Sequence, residues 1–183
     1  MSRKFFVKGT TTIKILALDQ ARYGAWSIFD TATIKLLAYG DWSFPARKFD
    51  FSRAVYEITR VASDLIQAND IDVVFIEDTQ LRQNAQSFKK LAQLQGALIN
   101  LFEGLVVPYE SVPPTRWQSY CGARGRSFKE HQNSITEPGL KASKVLSMQF
   151  VQERFGIETD NDNLADAICI GWYAINQMKD RED

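Results

Sequence analysis

At 183 residues, with 45% apolar side chains, the chain is long enough to bury one full hydrophobic core and too short for two ordinary domains, so a single domain over residues 1–183 is expected. No low-complexity run is present, and no apolar stretch approaches the roughly 20 residues that span a bilayer, which argues against a membrane partner. The formal net charge of zero argues at first against nucleic acid, and the basic opening "MSRKFFVKGTTTIK" lacks the apolar segment of a secretion signal, so a cytoplasmic protein is expected.

In chain order, "IKILALD" (13–19) is an apolar run rich in branched residues, and "AWSIFD" (25–30) and "TIKLLAY" (33–39) read as two further strands after short turns. The period then changes. Phe51, Val55, Ile58, Val61, Ala62 and Leu65 recur at helical spacing as far as Asn69, which can cap the end. "IDVVFIED" (71–78) has the continuous apolar character of a strand buried on both faces. A helix over about 85–102, a strand "GLVVPYESV" (104–112), a short helix from Pro114 and helices near 140–154 and 162–178 complete the chain. This order predicts an α/β fold: one mixed five-stranded sheet flanked by helices.

Cys121 and Cys169 are the only cysteines, with no CxxC or Cys/His spacing, and are expected to be reduced thiols. The sole histidine, His131, falls in a predicted loop and has no visible partner. The charges are segregated. Ser111 to Phe150 carries Arg116, Arg124, Arg126, Lys129, Lys141 and Lys144 against Glu130 and Glu137, whereas Val151 to Asp183 is strongly acidic. Such a division suits a basic face for phosphates beside a separate acidic site, although exposed charge is often only solvated.

Asp19 ends the first strand, Glu77 ends the fourth, and Asp166 lies near the start of the last helix. Acids at the ends of two buried strands and on a third element can converge at one sheet edge, where open α/β sheets place ligands. Converging carboxylates repel, and coexist through a metal or a shared proton. Singly, each has an ordinary explanation, as a first loop residue or as a partner of the helix dipole. Together they point to a metal site.

"ILALDQARYGAWSIFD", "VVFIEDTQLRQNAQSFKKLAQLQGALI" and "NDNLADAICIGWYA" resemble the three acidic motifs of the RuvC-type Holliday junction resolvases, of the RNase H-like superfamily. The resemblance runs from about Ile13 to Ala174 and implies an RNase H-like sheet. It implies Asp19, Glu77 and Asp166 as catalytic metal ligands. The family's fourth ligand lies three residues before the last, where this chain has Asn163, with Asp162 adjacent; both share a helical face with Asp166, and either can supply a ligand oxygen. The implied reaction is phosphodiester hydrolysis with two Mg²⁺ ions per site, Mn²⁺ substituting, leaving 5′-phosphate ends.

Lys144 matches the family's catalytic lysine, with Lys141 one turn earlier as the other candidate, and Arg116 falls near a second basic position that Trp117 occupies in another alignment. Arg124, Arg126 and Lys129 belong to the segment 122–139, read as a loop meeting the DNA backbone or as a plain surface insertion. The family's aromatic residue after the second motif is not matched, since Gln80 and Leu81 stand there. Paired cuts in a nearly two-fold symmetric junction call for a homodimer, and Ala92, Gly96 and Ala97 would permit close helix approach across it or else sit under the sheet. Three readings compete: a dimeric resolvase of branched DNA; a nuclease of the same fold for RNA–DNA hybrids or flap DNA; and a junction-binding protein that does not cut.

Overall fold

A computed structural model describes residues 12–80, 84–124 and 142–179. Five strands, β1 (Lys14–Asp19), β2 (Tyr23–Asp30), β3 (Lys35–Ser43), β4 (Val73–Glu77) and β5 (Tyr109–Val112), form one sheet in the order β3-β2-β1-β4-β5. Short turns join β1, β2 and β3, so these pair antiparallel. A parallel partner needs a crossover of a dozen or more residues. The helices α1 (Phe51–Asn69) and α2 (Ala85–Gly104) supply two such crossovers, and β4 and β5 accordingly run parallel to β1 and to each other.

Alternation along the strands sends side chains to two faces. Ile15 and Ala17 of β1, Phe29 of β2 and Val73 and Phe75 of β4 pack on one face with α3 (Pro114–Tyr120), α4 (Ala142–Phe155) and α5 (Asp162–Lys179). Leu16, Leu18, Val74 and Ile76 pack on the other against α1 and α2. The helix α5 is apolar nearly all round and lies against β1 and β2. Gly171 makes this approach close, because a Cβ there would stand 2.5 Å from the Phe29 ring. Ser27 Oγ donates to the Ala167 carbonyl at 2.8 Å, fastening β2 to the same helix.

Three sequence expectations shift. The third strand begins at Lys35 and runs on to Ser43 because it pairs with β2 along its whole length, Tyr23 opposite Ser43. At the end of α1 it is Asp70, at φ 52°, that turns the chain left-handed, while Asn69 remains helical and its side chain donates to the Leu65 carbonyl. The run 104–112 is a strand only from Tyr109. Val107 N–H closes α2 onto the Phe102 carbonyl, with Val106 left-handed at φ 58° and exposed. A β-branched residue rarely adopts that conformation, so the apolar sequence reads as strand.

Arg126, Lys129, Lys141, His131, Leu81 and the basic residues Arg3, Lys4 and Lys8 lie outside the described residues, as does most of the segment 122–139. Cys121 and Cys169 are buried free thiols. Among the described residues no helix is long and apolar enough to cross a membrane.

Candidate active site

Parallel pairing of β1 and β4 sets Leu18 opposite Ile76, so the next residues, Asp19 and Glu77, end neighbouring strands side by side. Both continue the alternation of the face that carries α3, α4 and α5. Asp19 is only 8% exposed, and its carboxyl is held well above the usual carboxylate range. Burial is the main cause, and the charges of Glu77, Asp166 and Asp162 add to it, with Lys144 opposing them.

From the helical side, Asn161 caps α5, its Oδ1 accepting from the N–H groups of Asn163 (3.1 Å) and Leu164 (3.3 Å). That places Asp162 in the first turn and Asp166 one turn later on the same face. Asp166 is 5% exposed. Burial raises its pKa, and the nearby ammonium of Lys144 and hydroxyl of Ser147 counter only part of that rise. Lys144 and Ser147 share a face of α4, three residues apart. The Lys144 ammonium donates to Asp166 Oδ2 and lies 3.0 Å from Asp162 Oδ2. Burial works against its proton, but Asp166, Asp19 and Asp162 outweigh burial and raise its pKa, so Lys144 is a cation at any ordinary pH. Ser147 Oγ, fully buried, donates to Asp166 Oδ1 at 2.7 Å.

Glu77 is fixed by other means. Gln20 Nε2 donates to its backbone carbonyl at 2.8 Å, and the Asp78 N–H donates to the Val112 carbonyl at 2.8 Å, pinning the strand end. The indole N–H of Trp117 donates to Glu77 Oε1 at 3.1 Å.

Thus Asp19, Glu77, Asp166, Asp162 and Lys144 are brought together. The two candidates for a fourth acidic position differ: Asp162 is tied through Lys144 to Asp166, whereas Asn163 is bonded through its backbone N–H to the cap. Arg116 is exposed on α3, and Arg124 is exposed with its guanidinium 3.4 Å from Ser119 Oγ; among the described residues neither joins the carboxylates. Gln80 is exposed. Trp117, Ser147 and Gln20 are contacts that sequence reasoning missed. Only Ser147 left a signal, one turn beyond Lys144.

Whether these residues suit a divalent cation can be judged on the donor set. Among the described residues, no three His, Cys, Asp or Glu side chains are drawn tightly enough to hold an ion as they stand. Lys144 already sits between Asp162 and Asp166. The chemistry nevertheless fits: the donors are hard carboxylate oxygens, two of them buried and penalised for their charge. Beside them the buried Gln20 Oε1 has no hydrogen-bond partner among the described residues.

No protein-family model matches the chain, and no curated protein matches it in sequence. Solved structures do match it. RuvC of Thermus thermophilus, solved in complex with Holliday junction substrate, superposes at a TM-score of 0.67 with 12% identity, covering 91% of this chain and 96% of RuvC. The fowlpox virus resolvase, solved with substrate Holliday junction DNA, gives 0.56 at 15% identity over 91% of this chain and 99% of the viral one. The yeast mitochondrial Holliday junction resolvase Ydc2 gives 0.57 at 13% identity over 93% and 81%. At such identities it is the architecture that is shared: the chain has the RNase H-like fold of RuvC and other Holliday junction resolvases.

Proposed function

We propose that the protein is a single-domain, metal-dependent endonuclease that resolves four-way DNA junctions and other branched DNA as a homodimer. The observation that carries the reading is the convergence of Asp19, Glu77, Asp166 and Asp162 around Lys144, two of the acids buried at an energetic penalty, in the fold of junction resolvases.

Asp19, Glu77 and Asp166 would hold Mg²⁺, with Asp162 as the fourth acid ahead of Asn163 and Mn²⁺ as a substitute. Bound there, two divalent ions supply Lewis-acid stabilisation and an activated water for in-line hydrolysis leaving 5′-phosphate ends. The chain's own residues orient and balance charge. Ser147 fixes one oxygen of Asp166 and Trp117 one oxygen of Glu77. Lys144 carries the positive charge that steadies the scissile phosphate, while Arg116 and Arg124, with Arg126, Lys129 and Lys141, would meet the DNA backbone.

Dimerisation through α2 agrees with its outer face. Ala92 and Gly96 are exposed, not tucked under the sheet, and a Cβ on Gly96 would meet nothing within 4 Å.

A labelled four-way junction, a flap, an RNA–DNA hybrid and a linear duplex tested with Mg²⁺, for the wild type and Asp19→Asn, decide the matter. Paired cuts near the crossover that vanish in Asp19→Asn are expected. Cleavage of hybrid or flap in preference to the junction would assign a different nuclease. Tight junction binding in Ca²⁺ with no cutting in Mg²⁺ or Mn²⁺ would leave a junction-binding protein.

A further inference from the structure

The four carboxylates are not held alike. Asp162 and Asp166, on α5, share the ammonium of Lys144. At the strand ends, Glu77 is held by the indole N–H of Trp117, a neutral donor.

Trp117 reaches Glu77 by a short path. β5 ends at Val112, opposite Glu77 of β4, and Pro113 and Pro114 lead directly into α3. One turn of that helix sets Trp117 on the face occupied by Glu77. The ring is fully buried in the core cluster on this face of the sheet. An indole has one donor and no acceptor lone pair, so its hydrogen bond restricts the carboxylate while it adds no ligand atom for a metal ion. Being neutral, the indole itself cancels none of the Glu77 charge. A lysine or arginine in the same place would cancel that charge and compete with any incoming ion.

We infer that Trp117 is a positioning residue: its N–H, a neutral donor, fixes the orientation of the Glu77 carboxylate for the cation that Asp19 and Glu77 would hold. The inference rests on the metal-nuclease reading above and adds to it a residue outside the acidic motifs. Groups that orient a ligand in this way typically change metal affinity or activity by about 10–100-fold when removed.

Trp117→Phe keeps most of the ring and deletes the N–H. Measured by calorimetry on the DNA-free protein, Mn²⁺ affinity is expected to fall about tenfold, with an unchanged circular dichroism spectrum. In a Glu77→Gln background the same substitution should cost nothing further, because the indole acts through that carboxylate. A folded Trp117→Phe protein with wild-type Mn²⁺ affinity, or losses that multiply with those of Glu77→Gln, overturns the inference while leaving the nuclease reading intact. Absence of Mn²⁺ binding by the wild type removes both. Should Trp117→Phe not fold, the wild-type protein decides through its four tryptophan indole N–H resonances. The Trp117 signal, assigned by its shift in Glu77→Gln, should move on addition of Mg²⁺; a signal that stays still while the Asp19 amide moves refutes the inference.

Discussion

Replacing Asp19 by Asn should make the protein more stable in the absence of metal while abolishing its cleavage. Asp19 is 8% exposed and stands beside Glu77 at the end of the adjacent strand. Neighbouring strands lie about 4.8 Å apart, and two like charges at roughly 5–6 Å in an effective dielectric of ~20 repel by about 3 kcal/mol. Lys144 offsets part of this, but its contacts are with Asp162 and Asp166. A net gain of about 1–2 kcal/mol is the expected scale for removing such a charge from a functional site. For a chain of 183 residues that raises Tm by roughly 2–8 °C. The pH dependence follows from the raised pKa. Between the unfolded carboxylate's ordinary pKa and the raised folded value, the folded state binds more protons, so wild-type stability falls as pH rises through that window. The advantage of Asp19→Asn should therefore grow as pH rises through that window and shrink in acid. Thermal unfolding in EDTA across pH, repeated with Mg²⁺, measures it. Magnesium should stabilise the wild type and not the variant. An Asp19→Asn protein whose stability relative to wild type without metal does not increase as pH rises would refute the electrostatic account of the site.

Other consequences are open to simpler tests. Ser147→Ala removes a hydrogen bond that favours ionised Asp166, so that pKa rises further; cleavage in Mg²⁺ should drop more at about pH 6 than at about pH 8.5, seen in the pH–rate profile. Asp162→Asn should weaken Mn²⁺ binding by about tenfold or more, and Asn163→Ala by much less, because it is Asp162 that shares Lys144 with Asp166. The reverse ranking by calorimetry would make Asn163 the fourth ligand. Gly171→Ala places a Cβ 2.5 Å from the Phe29 ring and 2.6 Å from Ser27 Oγ. It should destabilise the protein by about 1–3 kcal/mol in denaturant unfolding, the usual result of overpacking a close contact.

The strands and the acids that end them were legible because the signal is local. "ILALD" and "VVFIE" are runs buried on both faces that stop at a carboxylate, and period-2 alternation then puts both acids on one face. That the sheet is mixed was legible too, but its strand order was not: short turns after Asp19 and Asp30 permit antiparallel pairing and helical crossovers permit parallel pairing, without saying which strands are neighbours. The partners of the acids were not legible. Trp117 is 40 residues from Glu77 and Ser147 is 19 from Asp166, and no spacing rule reports a single bond across such a gap. The choice between Asp162 and Asn163 stayed open for a related reason. Three and four residues before Asp166 fall on one helical face, and only the position of Lys144 on a different helix distinguishes them.

That lysine also explains how a crowded acidic centre can fold before any ion arrives. An ammonium has three donors, and two are used, one on Asp162 and one on Asp166. These two acids would otherwise repel each other one turn apart on α5, so the ion pairs let the buried end of the helix seat against the sheet. The remaining donor can address a phosphate oxygen without releasing either carboxylate, which a fork-shaped guanidinium cannot do as freely in the same space. At the strand ends Glu77 Oε1 accepts from the neutral indole of Trp117, and burial together with the neighbouring acids outweighs Lys144 in raising the Asp19 pKa.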